Sequence, residues 1–502
     1  MKKLFALCAL MLCLALGLGG CAIGNREAET MGEISLPEPE EEPENMILGE
    51  TLAGGMSEVS LYYAATDGSG FSTVTTSLRA DADQSLPEAA AQALLASAGP
   101  GGTRAAGDVA LLGCEYACGT ATVNLSIDAR ASQTPQELLA LEASIGNTLL
   151  DLDGVRAVNV LIGGASESCC QLPIGVQTEP ISSVAATYAQ LQAERDRMAQ
   201  LDAAPIARRA LVYFPTEGRR WLVPELREIT ASGGGFATAL IDALRAGPRD
   251  VACARYSIPE GAELLEDGPV FEALPSGERV LSLNFTSTLA NYLPLSGLEV
   301  WELAGSLALT MTSFMPELDA VRVMVNDDPV TMCDMGDEII QFPDGLIRRE
   351  HFAGRVGSTA TLYLVDGANE LRAVERAVST RAALSPRRLL AELLSYAGAE
   401  GETLRLPLSA RVNPADLLGV QTVGGVARVN LSAGFYRSCQ GLSPRAERDL
   451  VYAIVNTLCA MEGIRGVRFY VEGRAADTLA GGIYLKSVLL PNPGIVARDD
   501  VE

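Results

Sequence analysis

Apolar residues recur at helical spacing in three separate stretches of the chain, at 138–152, 304–315 and 450–461. Because residues three or four positions apart share one face of a helix, this spacing predicts a helix with one apolar face in each stretch. A short strand with apolar residues at every second position follows each helix, at 158–162, 321–325 and 467–471. The same pair of elements is therefore predicted three times.

The elements that precede these helices also repeat. Each copy opens with a strand that contains tyrosine, and the tyrosines Tyr63, Tyr213 and Tyr363 are separated by 150 residues twice. A turn, an extended segment and a short helix rich in alanine and leucine follow. The short helices are expected at 89–98, 236–246 and 386–397, each followed by a glycine that suits the left-handed residue closing many helices. Ser85 with Glu88, and Ser385 before Pro386, are the candidate starts of the first and third.

The most distinctive block is Asn-x-Ser/Thr at the end of a predicted strand, with Asn124, Asn284 and Asn430 as its first residues. We interpret the Asn and Ser/Thr side chains as caps of a turn. The block also matches the acceptor pattern for N-glycosylation, which the bacterial export signal described below disfavours. The long helix of each copy then starts at a capping sequence, namely 134–137, 296–299 or 443–444.

One pattern repeated three times predicts an α+β fold with three tandem repeats, each a small mixed β-sheet with two helices packed on one face. The expected boundaries are 58–180 for the first and most divergent repeat, 207–350 for the second and 357–491 for the third, with a tail at 492–502. Residues 181–206 are charged, with weak apolar periodicity. They predict a helical spacer, with a partner-binding helix as the alternative.

The first residues of the chain carry an export signal. Lys2 and Lys3 precede an apolar run that ends in Leu-Gly-Gly-Cys, which resembles a bacterial lipobox. We expect residues 1–20 to be removed and Cys21 to receive a lipid that attaches the chain to the outer face of the cytoplasmic membrane. An uncleaved anchor is the alternative, although the run is short for a bilayer span. Residues 21–57 are rich in Glu, Pro and Gly and predict a disordered acidic tether.

The net charge excludes one class of partner. The whole chain carries −25, and removal of the signal peptide, which holds two lysines and no acidic residue, makes it −27. An acidic surface repels phosphate backbones, so nucleic-acid binding is not expected. It also disfavours broad contact with anionic lipid, which leaves the acyl chains as the membrane attachment.

No group of residues predicts catalysis, a cofactor or a metal. The sequence contains one histidine, His351, so it cannot form a histidine-based metal site or proton relay. Gly-x-Ser-x-Gly, phosphate-loop and dinucleotide patterns do not occur between a strand and a helix. The acidic clusters at 326–328 and 334–337 lack the ligand order of a calcium loop, and we interpret them as solvated turns.

Eight cysteines follow Cys21, and two interpretations of them stay open. Export permits disulfides within each repeat, whereas burial as small apolar side chains fits equally well. A zinc site formed by Cys114, Cys118, Cys169 and Cys170 is disfavoured by their spacing and by the lack of histidine.

The repeats resemble the GerMN domain of the GerM sporulation and germination lipoproteins. The second repeat carries the likeness best, with Val-Tyr-Phe-Pro at 212–215, Leu-Val-Pro-Glu at 222–225 and Ser-Ile-Pro-x-Gly at 257–261. The third keeps Val-Asn-Leu-Ser at 429–432 and Asn-Thr-Leu at 456–458. The resemblance implies a non-catalytic domain, similar to ring-building folds of envelope machines, and a role in the assembly that joins mother cell and forespore. Three repeats depart from the tandem pair expected in GerM.

We therefore expect a non-catalytic, extracytoplasmic scaffold or assembly factor that binds envelope or sporulation proteins, or further copies of itself. The alternative is a lipoprotein that captures a cell-wall fragment or a small metabolite between repeats. Aromatic residues usually line such clefts, and they make up only 5% of this chain, which disfavours the alternative.

Overall fold

A computed structural model describes residues 49–497, except 52–55, 81–83, 103–104, 106–107, 199–203, 233–234, 266, 397–402 and 409–411. The predicted signal peptide, Cys21 and most of the predicted tether lie outside the described residues. Over the described ranges the chain is an α+β protein with three tandem modules, as the sequence predicts. Within these ranges no helix has the length and apolar character needed to cross a bilayer.

The first module begins with a β-hairpin and continues through a helix, two sheet strands and a pair of helices to a closing strand. Its elements, with the short strand that precedes them, are β1 (Gly49–Thr51), β2 (Ser57–Ala64), β3 (Phe71–Leu78), α1 (Leu86–Ala96), β4 (Leu111–Ala117), β5 (Thr120–Leu125), α2 (Asp128–Ser132), α3 (Pro135–Leu150), β6 (Ala157–Ile162), β7 (Ser168–Cys169) and β8 (Leu172–Pro173).

The second module repeats this order after an intervening helix. Its elements are α4 (Val184–Met198), β9 (Ile206–Pro215), β10 (Leu222–Ala231), α5 (Phe236–Ala246), β11 (Val270–Ala273), β12 (Arg279–Phe285), α6 (Thr288–Leu295), α7 (Val300–Phe314), β13 (Ala320–Val325), β14 (Asp328–Pro329), β15 (Met332–Asp334) and β16 (Ile339–Gln341).

The third module has the same order again. Its elements are β17 (Gly357–Val365), β18 (Leu371–Ser379), α8 (Thr380–Leu384), α9 (Pro386–Leu394), β19 (Leu417–Val423), β20 (Val426–Leu431), α10 (Ala433–Cys439), α11 (Pro444–Cys459), β21 (Gly466–Val471) and β22 (Arg474–Ala475). Single 3₁₀ turns occur at Pro100–Gly102, Pro343–Gly345, Arg349–Phe352, Pro414–Asp416 and Pro493–Ile495.

Each module builds one mixed sheet in the same way. Its central strand pairs antiparallel with the strand before it and parallel with the closing strand, as in β4–β5–β6, β11–β12–β13 and β19–β20–β21. A parallel pair needs a crossover connection, which the two helices between the strands provide. The shorter of these, α2, α6 or α10, has only five to eight residues. That is too short for a periodicity signal, so the prediction of two helices per repeat was incomplete.

Three clusters of buried apolar side chains correspond to the three modules. The clusters of the first and third modules contain residues of their own module only. The cluster of the second module also takes in Ala117, Ala157 and Val176 from the first. Each module therefore has its own core, and the first two share a packed boundary.

One predicted helix start was confirmed and one was wrong. The first helix begins at Leu86, because the Ser85 side chain accepts a hydrogen bond from the Glu88 amide and caps it there, as their spacing predicts. The long helix of the second module starts at Val300 rather than after Ser296, with Glu299 and Glu302 forming the reciprocal cap. The positive φ of Gly297 (+68°) separates that helix from α6.

The glycines after the first helices serve different purposes. Gly247 has a φ of +78° but a ψ of 178°, so it ends α5 in an extended conformation that favours glycine rather than in the predicted left-handed helical one. Gly99 does not adopt a positive φ. A side chain there would collide with the ring of Tyr63, so the position needs a residue without a Cβ. Gly398 lies outside the described residues.

The predicted tether is not unstructured along its whole length. Gly49–Thr51 pair in parallel with Gly419–Gln421 of β19 and extend the sheet of the third module. An edge strand offers unpaired backbone groups to any extended segment, so the side-chain composition that predicts disorder does not prevent this pairing.

Candidate functional site: the repeated motif and the junctions between modules

A threonine hydroxyl joins the long helix of each module to its first strand. The Oγ1 atoms of Thr148, Thr310 and Thr457 each accept a hydrogen bond from a strand amide at 3.0 Å. The three threonines are completely buried, so an amide left without this acceptor would carry a full desolvation cost. The contact therefore fixes the packing of helix on strand in the same register three times.

This contact corrects the predicted alignment of the tyrosines. The backbone amides of Tyr62, Tyr213 and Tyr363 donate these three hydrogen bonds. Tyr62, and not Tyr63, is therefore the residue of the first module that is equivalent to Tyr213 and Tyr363. Tyr63 corresponds to Phe214 and Leu364, which are also buried. A shift of one residue along a strand reverses the side that a side chain faces, and the equal spacing of 150 residues hid this shift.

The three asparagines of the Asn-x-Ser/Thr block connect the central strand to the turn after the closing strand. The Oδ1 atom of Asn124 accepts from the Gly164 amide at 2.9 Å, that of Asn284 from the Asp327 amide at 3.1 Å, and that of Asn430 from the Gly473 amide at 2.8 Å. Their side chains are occupied with backbone groups of their own module.

The third residue of the block completes the arrangement. Ser432 Oγ accepts from the Phe435 amide at 3.0 Å and so caps α10. Ser126 Oγ accepts instead from the Ala110 amide at 3.1 Å, just before β4. Both contacts are structural.

The first and second modules meet through a buried polar cluster. Arg349 donates to the Tyr213 hydroxyl at 3.2 Å and to Ser313 Oγ at 2.8 Å, and its guanidinium lies 3.9 Å from the Glu115 carboxylate of the first module. Burial raises the pKa of Glu115, and the charge of Arg349 opposes that rise. Asn159 of β6 adds a bond of 3.2 Å to the Ser313 carbonyl.

The third module contacts both of the others. Glu375 of β18 accepts from the Ala252 amide of the second module at 3.0 Å. Ser358 Oγ of β17 accepts from the Cys118 amide of the first module at 2.9 Å. The modules are therefore joined pairwise by contacts between residues more than 100 positions apart. A single sequence gives no signal for such partners.

The cysteines and the single histidine form no reactive centre within the described ranges. The eight cysteines that follow Cys21 are unpaired thiols there, and no three Cys, His, Asp or Glu side chains converge to hold a metal ion. Burial raises the pKa of Cys253 and Cys439 to about 12, which keeps these thiols protonated. His351 Nδ1 accepts from the Arg348 amide at 3.1 Å, and burial lowers the pKa of the ring.

The family described as "Germane: Sporulation and spore germination" matches residues 60–168, 211–331 and 361–477. Among solved structures, the tandem GerMN domains of the sporulation protein GerM from Bacillus subtilis are 20% identical, with 59% of this chain and 99% of that chain covered and a TM-score of 0.24. The first GerMN domain of the same protein is 14% identical, with 28% and 98% covered and a TM-score of 0.21.

A candidate lipoprotein from Clostridium perfringens is 19% identical, with 27% of this chain and 87% of that chain covered and a TM-score of 0.19. No curated protein sequence matches the chain. The family match covers more than half of the residues, in three regions that follow one another along the chain. The chain belongs to the Germane family of sporulation and spore germination proteins.

Proposed function

We propose that this protein is a non-catalytic assembly factor of the cell envelope that acts in spore formation or germination. The lipid expected on Cys21 would hold it at the outer face of the cytoplasmic membrane, where its modules bind envelope proteins or further copies of the chain. Membership of the Germane family supports the link with sporulation.

The pairwise contacts between the three modules carry the proposal. Polar side chains that could have formed a reactive site, such as Glu115, Arg349 and Glu375, are instead paired across module boundaries. A body fixed in this way presents its outer surfaces in a constant arrangement, which is what an assembly factor needs.

Exposed apolar residues recur at one place in all three modules, the region of the short helix that follows the Asn-x-Ser/Thr block. The short helix region after the Asn-x-Ser/Thr block exposes Ile127 in the first module (61%), Leu295 and Tyr292 in the second (80% and 42%) and Tyr436 in the third (37%). Large exposed apolar residues, particularly tyrosine, are common anchors of protein interfaces. Their recurrence at one place in the module supports partner binding there.

Cross-linking and capture from sporulating cells tests the proposal. We expect full-length protein to capture specific envelope proteins or further copies of itself, and Leu295→Asp combined with Tyr436→Asp to reduce the yield at least tenfold. Leu490→Asp is the matched control, because Leu490 is also exposed (65%) but lies away from these helices in sequence. A wild-type chain that is monomeric and captures nothing specific would overturn the proposal.

A second function, capture of a small ligand, is favoured by one observation. A pocket of about 450 Å³ lies between the first and second modules, lined by Leu172, Pro173, Phe236, Phe271 and Met315 among others. This volume falls in the range of ligand pockets, and its aromatic lining offsets the low aromatic content of the whole chain. Soluble muropeptides should raise the melting temperature of the wild-type protein but not of Phe271→Ala if this function is correct. Equal shifts, or none, would exclude it.

A further inference from the structure

A separate cavity of about 200 Å³ lies beside the first module. Its walls come from α3, β6, the loop at 174–181, α4 and the first residues of β9. The polar residues on these walls are Glu142, Ser166, Gln177, Thr187, Gln190, Glu194 and Arg208. The cavity could hold several water molecules and is smaller than the roughly 300 Å³ at which pockets for drug-sized ligands begin.

Glu142 lines this cavity without a partner. Its side chain lies within α3 at 8% exposure, and no hydrogen bond or ion pair reaches its carboxyl group from the described part of the chain. Other buried glutamates are satisfied. Glu447 accepts from three backbone amides at 2.5–2.9 Å, and Glu302 pairs with Arg255 at 2.9 Å. The carboxyl oxygens are not fully enclosed, so the group opens onto the cavity, where a ligand can reach it.

The other modules show that the fold does not require this carboxyl group. Glu142 lies six residues before Thr148, and the same offset from Thr310 and Thr457 gives Ala304 and Val451. Both of these residues are buried. The position of Glu142 is therefore occupied by a buried apolar side chain in the other two modules, and their folding does not need a carboxyl group there.

The surroundings of Glu142 are acidic. Burial, and then repulsion by Glu167, raises the pKa of Glu142 to about 8. Glu167 itself is paired with Arg130 at 2.5 Å, and Cys169 also lies within electrostatic reach of Glu142. The charge of Arg208, which also lines the cavity, is already neutralised by its ion pair with Glu194. The side chains around the cavity thus leave no positive charge for Glu142.

We propose that this cavity binds a small primary amine, whose ammonium group pairs with the Glu142 carboxylate. The ammonium group supplies a positive charge and hydrogen-bond donors, which the side chains lining the cavity do not provide for Glu142. Gln190 and Thr187, which also line the cavity, carry acceptor oxygens for its remaining N–H bonds. The volume restricts the ligand to a few heavy atoms beyond the nitrogen.

Binding is coupled to a proton. Below pH 8 Glu142 is largely neutral, so pairing with an ammonium ion releases its proton to solvent. Affinity should therefore rise about 50-fold between pH 6 and pH 8, in proportion to the ionised fraction of Glu142.

Calorimetric titration of the detergent-purified full chain with n-propylamine tests this proposal, with 1-propanol as the uncharged match. At pH 8 we expect propylamine to bind and 1-propanol not to bind. At pH 6 the affinity for propylamine should be about 50-fold lower, and binding should release about one proton per site. Glu142→Gln should abolish binding. Asp153→Asn, which removes an exposed charge from the same module, should not.

Glu142→Val places the side chain of the third module at this position and gives a second folded variant without the carboxyl group. Absence of propylamine binding at pH 8, equal binding of 1-propanol, or binding retained by both Glu142 variants would overturn the proposal. None of these outcomes bears on partner capture by the exposed helices.

Discussion

Replacing Glu142 by glutamine should make the protein more stable than the wild type, by an amount that depends on pH. Glutamine has nearly the same shape but cannot ionise. Burial raises the pKa of Glu142 from 4.5 to about 8, so between these values the folded chain holds a proton that the unfolded chain has lost. Stability of the wild type therefore falls as pH rises from about 4.5 to about 8 and is level above that.

The magnitude follows from the size of the shift. One pKa unit corresponds to about 1.4 kcal/mol, so the full window amounts to roughly 5 kcal/mol as an upper value. Glu115 and Glu302 also have raised pKa values and contribute equally to both proteins. Glu167 repels Glu142, so the difference between wild type and variant reports Glu142 together with this repulsion.

Urea denaturation of both proteins at steps from about pH 5 to about pH 9 measures this difference. The difference in free energy of unfolding between Glu142→Gln and the wild type should increase by about 1.4 kcal/mol per pH unit up to about pH 8. Above that pH the difference should be constant. Parallel curves across this range would show that Glu142 is solvated or paired in solution, and would refute the reasoning.

Three further substitutions test contacts in the modules, each by chemical denaturation. Thr310→Val leaves the buried Tyr213 amide without an acceptor and should lower the free energy of unfolding by about 1–3 kcal/mol. Thr310→Ser keeps the hydroxyl and should lower it by less. Equal losses in the two variants would contradict a stabilising role for this hydrogen bond. Glu447→Ala removes the acceptor of three backbone amides in the 479–482 loop and should destabilise the third module by about 3 kcal/mol or more. A loss of less than about 1 kcal/mol would show that other contacts hold this loop. Gly99→Ala should cost about 1–3 kcal/mol through its collision with Tyr63, and a neutral effect would show that the 97–99 turn yields easily.

Features that depend on local chemistry could be predicted from the sequence. The long helices and closing strands have one buried face, so their apolar spacing is visible along the chain. Ser85, Thr134, Ser385 and Ser443 cap helices as predicted, because a cap needs only residues within one helical turn. The order of these local signals, repeated three times, was sufficient for the fold.

Features that depend on contacts across the chain could not be predicted. The equivalence of Tyr62 with Tyr213 and Tyr363 is defined by hydrogen bonds to threonines at least 86 residues away. The pairing of Gly49–Thr51 with β19 joins residues 370 positions apart, as from Gly49 to Gly419. Glu142 falls on the apolar face of α3 by its spacing from Leu138 and Ile145, so its burial could be predicted from the sequence. The cavity beside it could not, because that cavity is formed by the packing of α4 and the 174–181 loop.

The proposed role requires the protein to reside at the membrane where the spore is assembled. Fluorescence imaging of a fusion to the full chain in sporulating cells of the native host, beside the Cys21→Ala variant, tests this most directly. We expect the wild-type fusion to accumulate at the membrane that surrounds the developing spore and the variant to lose its attachment. A wild-type fusion spread through the cytoplasm, or a variant that stays at that membrane as fully as the wild type, would contradict the role proposed for these three modules.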